Sequence, residues 1–161
     1  MALGPEHNEG NEPMFFAPAT LEIVNGVARG KASMLGSDLV ERKHLALALL
    51  EHMSKGDTPA KMGINVDTIV SVLIGHVTSY DPYAVMAEIG YDDDVADIIE
   101  ESSKESTVHI VLPQHVMLSL LWKEKDDSVL GLSEHGLDYL RYKDSLLDDD
   151  GRQDLNTPRA I

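Results

Sequence analysis

Two stretches of this sequence are alike in order and composition and lie 71 residues apart. The first reads HLALALL from His44, and the second reads HVMLSLL from His115. A second pair, GINVD from Gly63 and GLDYL from Gly136, is separated by 73 residues, so a two-residue difference in one loop aligns both pairs. A period this long is typical of two stacked structural units, neither of which buries its apolar face alone. The chain is therefore predicted to fold as two similar halves around a shared core.

Local patterns predict that the first half consists of helices. Gly26 and Gly30 lie one turn apart in the first of them, and because glycine costs about 1 kcal/mol relative to alanine in a helix, we expect another backbone to pack closely there. The capping and turn residues predict four helices. The first begins after an N-cap at Thr20, ends at Gly36, and has an apolar face of Leu21, Val24, Ala28, Ala32 and Leu35, and the second is a Leu-rich helix that follows an extended link at residues 38–40. The third is short, with Thr58 as N-cap, Pro59 at its first position and Gly63 past its end, and the fourth begins at Asn65 and has an apolar face of Val66, Ile69, Val70, Leu73 and Val77.

The second half is predicted to repeat this order after a bridging turn that begins at Asp81. Its elements are a helix from Asp92, an extended link at residues 108–112, a helix that Pro113 opens, a short turn at residues 128–132, and a last helix with Leu137, Leu140 and Leu147. The predicted fold is all-α, with about eight short helices in two pseudo-symmetric four-helix repeats. We expect one domain over residues 14–147, with repeat 1 at about 18–78 and repeat 2 at about 81–147, between a disordered tail (1–13) and a flexible acidic tail (148–161).

Charge and composition exclude several classes of function. Twenty-eight Asp and Glu against thirteen Lys and Arg leave a formal charge of −15, which repels nucleic acid. There is no cysteine, so disulfides and thiol chemistry are excluded, and a reducing cytoplasm fits best. No apolar run reaches the ~20 residues that a membrane-spanning helix needs, and a basic-then-apolar signal pattern is lacking. We therefore expect no nucleic-acid or membrane partner.

No motif in the sequence carries catalytic chemistry. There is no phosphate-binding loop, no nucleophile elbow and no paired-carboxylate pattern, so the chain is predicted not to be an enzyme and to hold no cofactor. His44 and His115 lack a second histidine at helical spacing, which favours structural packing or a backbone hydrogen bond over a metal site. Residues 92–94 are three aspartates, and so are residues 148–150; the first run is predicted to cap a helix and the second to be solvated, without metal.

The residues around the repeat resemble the N-terminal domain of Clp-type AAA+ unfoldases, which is a tandem Clp repeat. The first repeat reads LGSDLVERKH from Leu35 and closes with MGIN from Met62. The second repeat is more degenerate: PQH from Pro113 and HGLD from His135 fall where expected, but its first helix ends in Ser-Thr rather than Leu-Gly. The resemblance covers about residues 18–147.

This resemblance implies a role in docking. The family's domain receives substrates and adaptors for an ATP-driven unfolding ring, and it performs no chemistry itself. Some members bind phosphorylated arginine through a glutamate in each repeat; those two positions are Lys43 and Gln114 here, and the neighbouring threonines are replaced by Arg42 and Pro113. A cation repels a guanidinium and an amide offers one carbonyl acceptor, so we expect phosphoarginine not to bind in the family's manner.

Three functional readings stay open at this point. The first is a docking module whose partners are Clp unfoldase or protease subunits, adaptors or substrate polypeptides. The second is a free-standing protein of the same fold that sequesters peptide-like ligands or modulates a Clp protease. The third, from a different class, is a helical protein with a small-molecule or metal-dependent activity.

Overall fold

A computed structural model describes residues 15–75, 89–107 and 110–147. The predictions for both tails, for the bridging turn at Asp81, and for Val77 and Val108 concern residues outside these ranges. The described chain is predominantly helical, as the sequence predicted. Its helices are α1 Pro18–Leu21, α2 Ala28–Met34, α3 Arg42–Met53, α4 Thr58–Met62, α5 Val66–Ile74, α6 Asp93–Glu101, α7 Pro113–Asp126 and α8 Tyr139–Leu147. A π-helical segment, Glu22–Val27, joins α1 to α2, and 3₁₀ turns occupy Ser102–Glu105 and Leu132–His135.

Within the described residues, four two-residue strands connect the two halves of the chain. They are β1 Phe15–Phe16, β2 Leu39–Val40, β3 Gly90–Tyr91 and β4 Ile110–Val111. β1 pairs in parallel with β4, and β2 pairs in parallel with β3. Each pair joins the strand before the first helix of one half to the strand before the Leu-rich helix of the other half. The same order of elements therefore occurs on both sides of the molecule, in keeping with the predicted pseudo-symmetry.

Helices α3 and α7 lie at the centre of one shared core. Leu45, Leu50, Leu118 and Leu120 are completely buried, and a single cluster of apolar side chains extends through both halves. Helix α3 packs against α2, α5, α6 and α7. This agrees with a Leu-rich sequence that is apolar on nearly every side, because such a helix is stable only when surrounded by other elements.

Two details of the first helix differ from the prediction. The helical segment begins at Pro18 with Ala17 as N-cap, and Thr20 is instead buried inside α1, where its Oγ1 donates a 2.7 Å hydrogen bond to the carbonyl oxygen of Val111. Proline is favoured in the first turn of a helix because its missing N–H is not needed there. Leu21, expected on the apolar face, is 44% exposed.

The expected close backbone contact at Gly26 and Gly30 is wrong. A Cβ placed on Gly30 would meet no atom within 4 Å, and one on Gly26 would meet only the Glu22 side chain at 4.0 Å. Both glycines lie to one side of the buried stripe formed by Ile23, Val24, Ala28 and Ala32. No packing requirement explains their presence.

The remaining helix ends agree with the prediction to within one or two residues. Asp57, not Thr58, is the N-cap of α4, which places Pro59 at the second helical position. Asn65 caps α5 by accepting a 3.1 Å hydrogen bond from the amide of Thr68, and Asp92 caps α6 by accepting one of 3.0 Å from Val95.

The apolar positions predicted for the last helix are right at Leu137 and wrong at Leu140 and Leu147. Leu137 is completely buried but precedes α8, Leu140 and Leu147 are each 41% exposed, and the buried side of α8 carries Tyr142, Lys143 and Leu146. The turn predicted at residues 128–132 is also displaced, since the 3₁₀ turn begins only at Leu132.

Candidate functional site

The first turns of α3 and α7 are built in the same way. His44 is the third residue of α3, and its Nδ1 accepts a 2.9 Å hydrogen bond from the backbone amide of Glu41. His115 is the third residue of α7, and its Nδ1 accepts a 2.8 Å bond from the amide of Leu112. Both imidazoles are completely buried. Each histidine thus acts as a reciprocal cap, the role that Glu or Gln plays at this position in a capping box.

Burial lowers the pKa of His44 below its ordinary value of 6.5, and the nearby charges of Glu41, Lys43 and Asp92 change it less. Within the described residues, the Nε2 of His44 has no hydrogen-bond partner. Protonation would place a hydrogen on Nδ1 and remove the acceptor for the Glu41 amide. The cap therefore requires neutral imidazole.

We expect the free energy of unfolding to fall as the pH drops below 6.5. In the unfolded chain, His44 binds a proton with a pKa of 6.5, whereas in the folded chain its pKa is lower. The contribution of His44 to the free energy of unfolding is therefore complete above pH 6.5 and is lost as the pH falls toward the pKa of the folded state. Urea denaturation at pH 7.5, 6.5 and 5.5 measures the effect. His44→Gln keeps an acceptor for the Glu41 amide but does not titrate, so its stability should fall less than that of the wild type. Equal falls in the two proteins would contradict this explanation.

Lys43 and Gln114, the two positions at which the resemblance placed ligand contacts, follow the first residue of α3 and α7, respectively. Both side chains are half-buried, and each lines an open groove. The Lys43 groove has a volume of about 470 Å³ and is lined by Glu41, Arg42, Lys43, Val72, Leu73, Asp92, Asp94, Val129 and Leu130. The Gln114 groove has a volume of about 310 Å³ and is lined by Leu49, His52, Met53, Lys55, Gly56, Thr58, Pro113, Gln114, Met117, Tyr142 and Leu146.

The two grooves are related by the repeat. The 71-residue offset pairs Arg42 with Pro113 and Lys43 with Gln114, and the 73-residue offset pairs Leu73 with Leu146. All of these residues line their respective grooves. The structure thus places the two predicted positions in equivalent grooves that share no lining residue, and it does not bring them together into one site.

Arg42 distinguishes the Lys43 groove from its counterpart. Its guanidinium is buried and donates to Glu124 at 2.6 Å, to Asp94 at 2.9 Å, and to both the side chain (2.9 Å) and the carbonyl oxygen (2.6 Å) of Asp127. Burial alone would lower the pKa of Arg42, but the hydrogen bonds to Glu124, Asp127 and Asp94 outweigh it and raise that pKa. Arg42 therefore connects α3 to α6 and to the end of α7.

The sequence patterns did not predict a second buried ionic group, formed by Lys143 and Glu105. Lys143 and Glu105 are both completely buried, with 2.5 Å between Nζ and Oε1. The hydroxyl of Tyr139 lies 3.0 Å from each carboxylate oxygen of Glu105, and the ring of Trp122 packs edge-on against Tyr139. The only signal for this group in the sequence is a lysine between the buried Tyr142 and Leu146, and a lysine in a helix is normally exposed.

The other repeat markers, Gly63 and Gly136, both adopt left-handed backbone conformations, with φ of 71° and 85°. Glycine is favoured there because it has no Cβ to clash with the backbone. Gly63 ends α4, and Gly136 ends the 3₁₀ turn before α8. The guanidinium of Arg141 donates to the carbonyl oxygens of Gly136 (2.9 Å) and Met62 (2.8 Å), so it connects these two turns across the halves.

Two further properties bear on the class of function. In residues 15–75, 89–107 and 110–147, no three His, Asp or Glu side chains converge in a way that could hold a metal ion. Over the same residues, no helix has the length and apolar character required to cross a membrane.

Comparison with known proteins identifies the fold. No protein-family model and no curated protein sequence matches the chain. Among solved structures, it is similar to the N-terminal domain of the caseinolytic protease associated chaperone ClpD from Arabidopsis thaliana (17% identity, TM-score 0.63, 90% of this chain and 97% of that one). It is also similar to the Hsp104 N-terminal domain from Candida albicans (16% identity, TM-score 0.62, 92% and 98%). Both likenesses span nearly the whole length of the compared domains.

Proposed function

We propose that this chain, which has the fold of Clp N-terminal domains, is a protein-docking module that binds extended segments of substrate or adaptor polypeptides. It has no ATPase or protease activity of its own in this proposal, and residues 14–147 form the docking domain. Its partners are polypeptides handled by a Clp unfoldase in the cytoplasm, or subunits of that machinery.

The observation that supports this proposal most directly is the open Gln114 groove. Leu49, Met53, Met117, Tyr142 and Leu146 form an apolar floor. Polar groups of His52, Lys55, Thr58 and Gln114 surround that floor, which matches the apolar centre and polar rim of protein interfaces. An apolar floor with a polar rim suits the alternating side chains of an extended polypeptide.

Binding to an unfolded protein tests the proposal. The chain is titrated against fluorescein-labelled, reduced and carboxymethylated α-lactalbumin, and fluorescence anisotropy measures the affinity. We expect micromolar binding to this unfolded probe and none to native, disulfide-bonded α-lactalbumin. Gln114→Trp should weaken binding at least tenfold because the indole fills the groove, while thermal melting checks that the variant is folded. Absence of binding to the unfolded probe at 100 µM protein, roughly the weakest affinity expected of a functional contact, would contradict the proposal.

Phosphoarginine is expected not to bind. The groove that contains Gln114 offers one amide oxygen where a carboxylate would bind the guanidinium, and the other groove presents the cation of Lys43. Calorimetric titration with phosphoarginine should show no heat of binding for the wild-type chain. Gln114→Glu restores the carboxylate and is the matched gain-of-function variant. Micromolar binding by the wild type at either groove would refute the prediction.

A further inference from the structure

The Lys43 and Gln114 grooves, although equivalent by the repeat, have opposite electrostatic character. Three carboxylates, of Glu41, Asp92 and Asp94, line the Lys43 groove beside the two cations of Arg42 and Lys43, which leaves a formal charge of −1 there. Among the described residues, none that lines the Gln114 groove is acidic, and the ammonium of Lys55 gives that groove a formal charge of +1. This is notable in a chain where Asp and Glu outnumber Lys and Arg by twenty-eight to thirteen. The Gln114 groove is thus a locally cationic site on an acidic protein.

The two grooves also differ in the residue at the position of Arg42. In the Lys43 groove, the guanidinium of Arg42 is bound to Glu124, Asp94 and Asp127, so charged groups line that groove. Pro113 takes the place of Arg42 in the other groove, and its side chain is an apolar ring without a charged or hydrogen-bonding group. The base of the Gln114 groove is therefore apolar, and only its rim is polar.

Lys55 is available for an external anion. Its side chain is exposed and makes no ion pair with another residue in the described part of the chain. The two acidic residues nearest to it in sequence have other partners: Glu51 lies 3.3 Å from Lys31, and Asp57 lies 3.7 Å from Lys61. Burial, and then the positive charge of Lys55, lowers the pKa of the neighbouring His52. The rim formed by His52, Lys55 and Thr58 thus has one positive charge, that of Lys55, beside neutral polar groups.

We propose that the Gln114 groove binds a polypeptide segment in which large apolar side chains alternate with Asp or Glu. This inference rests on the proposed docking function and specifies its ligand. The apolar side chains enter between Met53, Met117 and Leu146, and a carboxylate of the segment pairs with Lys55 at the rim. A volume of about 310 Å³ lies at the lower end of the roughly 300–1,000 Å³ of small-ligand pockets, which suits a few side chains of a peptide.

The formal charge of −15 allows a clear test of this inference, because long-range electrostatics alone would favour a cationic peptide over an acidic one. At 0.15 M salt the Debye length is about 8 Å, so charges beyond the groove are largely screened while Lys55 still acts on a bound carboxylate. A preference for acidic peptides under these conditions would come from the groove and not from the surface as a whole.

Three labelled peptides that differ only in their ionic residues test the inference. The first is Leu-Glu-Phe-Glu-Leu-Glu-Phe-Glu, and the others carry Gln or Lys at each Glu position. Fluorescence anisotropy in 0.15 M salt is expected to show that the Glu peptide binds about fivefold tighter than the Lys peptide, the effect of one or two exposed ion pairs. Lys55→Glu should abolish or reverse this preference. Lys43→Glu makes the same charge change in the other groove and should leave the preference unaltered.

Gln114→Trp and Thr58→Trp, each checked for folding by thermal melting, should weaken binding of all three peptides because the indole occupies the apolar floor. A Lys peptide that binds as tightly as the Glu peptide or tighter would overturn the inference while leaving the docking function in place. A preference that survives Lys55→Glu but disappears in Lys43→Glu would also overturn it, since binding would then involve the other groove. If the peptides and the unfolded α-lactalbumin all fail to bind, the docking function itself fails.

Discussion

Replacing Lys143 by methionine should lower the free energy of unfolding by about 3–5 kcal/mol, the usual cost of removing one partner of a buried ion pair. Both Lys143 and Glu105 are completely buried, and without the ammonium the carboxylate keeps the hydrogen bond from the Tyr139 hydroxyl but loses its buried counter-charge. A loss of this size is a large part of the ~5–15 kcal/mol that stabilises a typical domain. Urea denaturation measures it directly, and the melting temperature should fall by roughly 10 °C.

A double variant separates the ionic contribution from simple loss of packing. Lys143→Met combined with Glu105→Gln removes both charges and keeps similar volumes, so most of the lost stability should return. Lys31→Met is the matched control, because Lys31 and Glu51 form an ion pair of 3.3 Å whose side chains are 28% and 50% exposed. That control should cost less than about 1 kcal/mol. If Lys143→Met costs no more than Lys31→Met, the buried pair does not stabilise the fold as described.

Replacing Arg42 by methionine is expected to cost about 2–4 kcal/mol, slightly less than the Lys143 variant. Arg42 is buried, but two of its acidic partners are partly exposed: Asp94 at 47% and Asp127 at 62%. Glu124 also keeps hydrogen bonds from the backbone amides of Val129 (3.1 Å) and Leu130 (2.9 Å) after the guanidinium is removed. Water and backbone amides can therefore satisfy the carboxylates in part.

Double-mutant cycles from urea denaturation apportion this loss among the partners of Arg42. The coupling of Arg42 to the buried Glu124 should exceed its coupling to the exposed Asp94. Arg42→Lys should recover only part of the stability, because one ammonium cannot reproduce the planar fork that reaches three acidic residues. Lys123→Met is the control: Lys123 also lies near Asp94, at 3.9 Å, but is 36% exposed. Equal costs for Arg42→Met and Lys123→Met would show that the network contributes little.

The helices and their order were predictable because their signals are local. The Leu-rich runs after His44 and His115 predicted α3 and α7, and Asn65 and Gly63 marked helix ends that the structure confirms. The errors occurred where a residue satisfied a local rule but was placed by a distant contact. Thr20 is a good N-cap residue, yet Val111 binds its hydroxyl from the other half of the molecule.

The site was predictable only as two positions. The resemblance to the Clp repeat located Lys43 and Gln114, but it could not show that the grooves beside them differ in lining and charge. The lining of each groove comes from three or more elements that are far apart in the chain, including α3, α7 and α8 for the Gln114 groove. The charge of such a surface is a sum over residues that only folding brings together.

By itself, the sequence determined the helical class, the twofold recurrence and the capping of the two central helices, since each depends on residues within a few turns of one another. Tertiary structure alone decided which side of α8 faces inward: Lys143 is buried because Glu105, 38 residues away, supplies its counter-charge, and Leu140 and Leu147 are left exposed. It likewise decided that Arg42 brings an ionic network to the lining of one groove, while Pro113 contributes an apolar ring to the other. The free energy of these arrangements depends on long-range pairing of charges and on packing across the halves, which no local pattern of residues specifies.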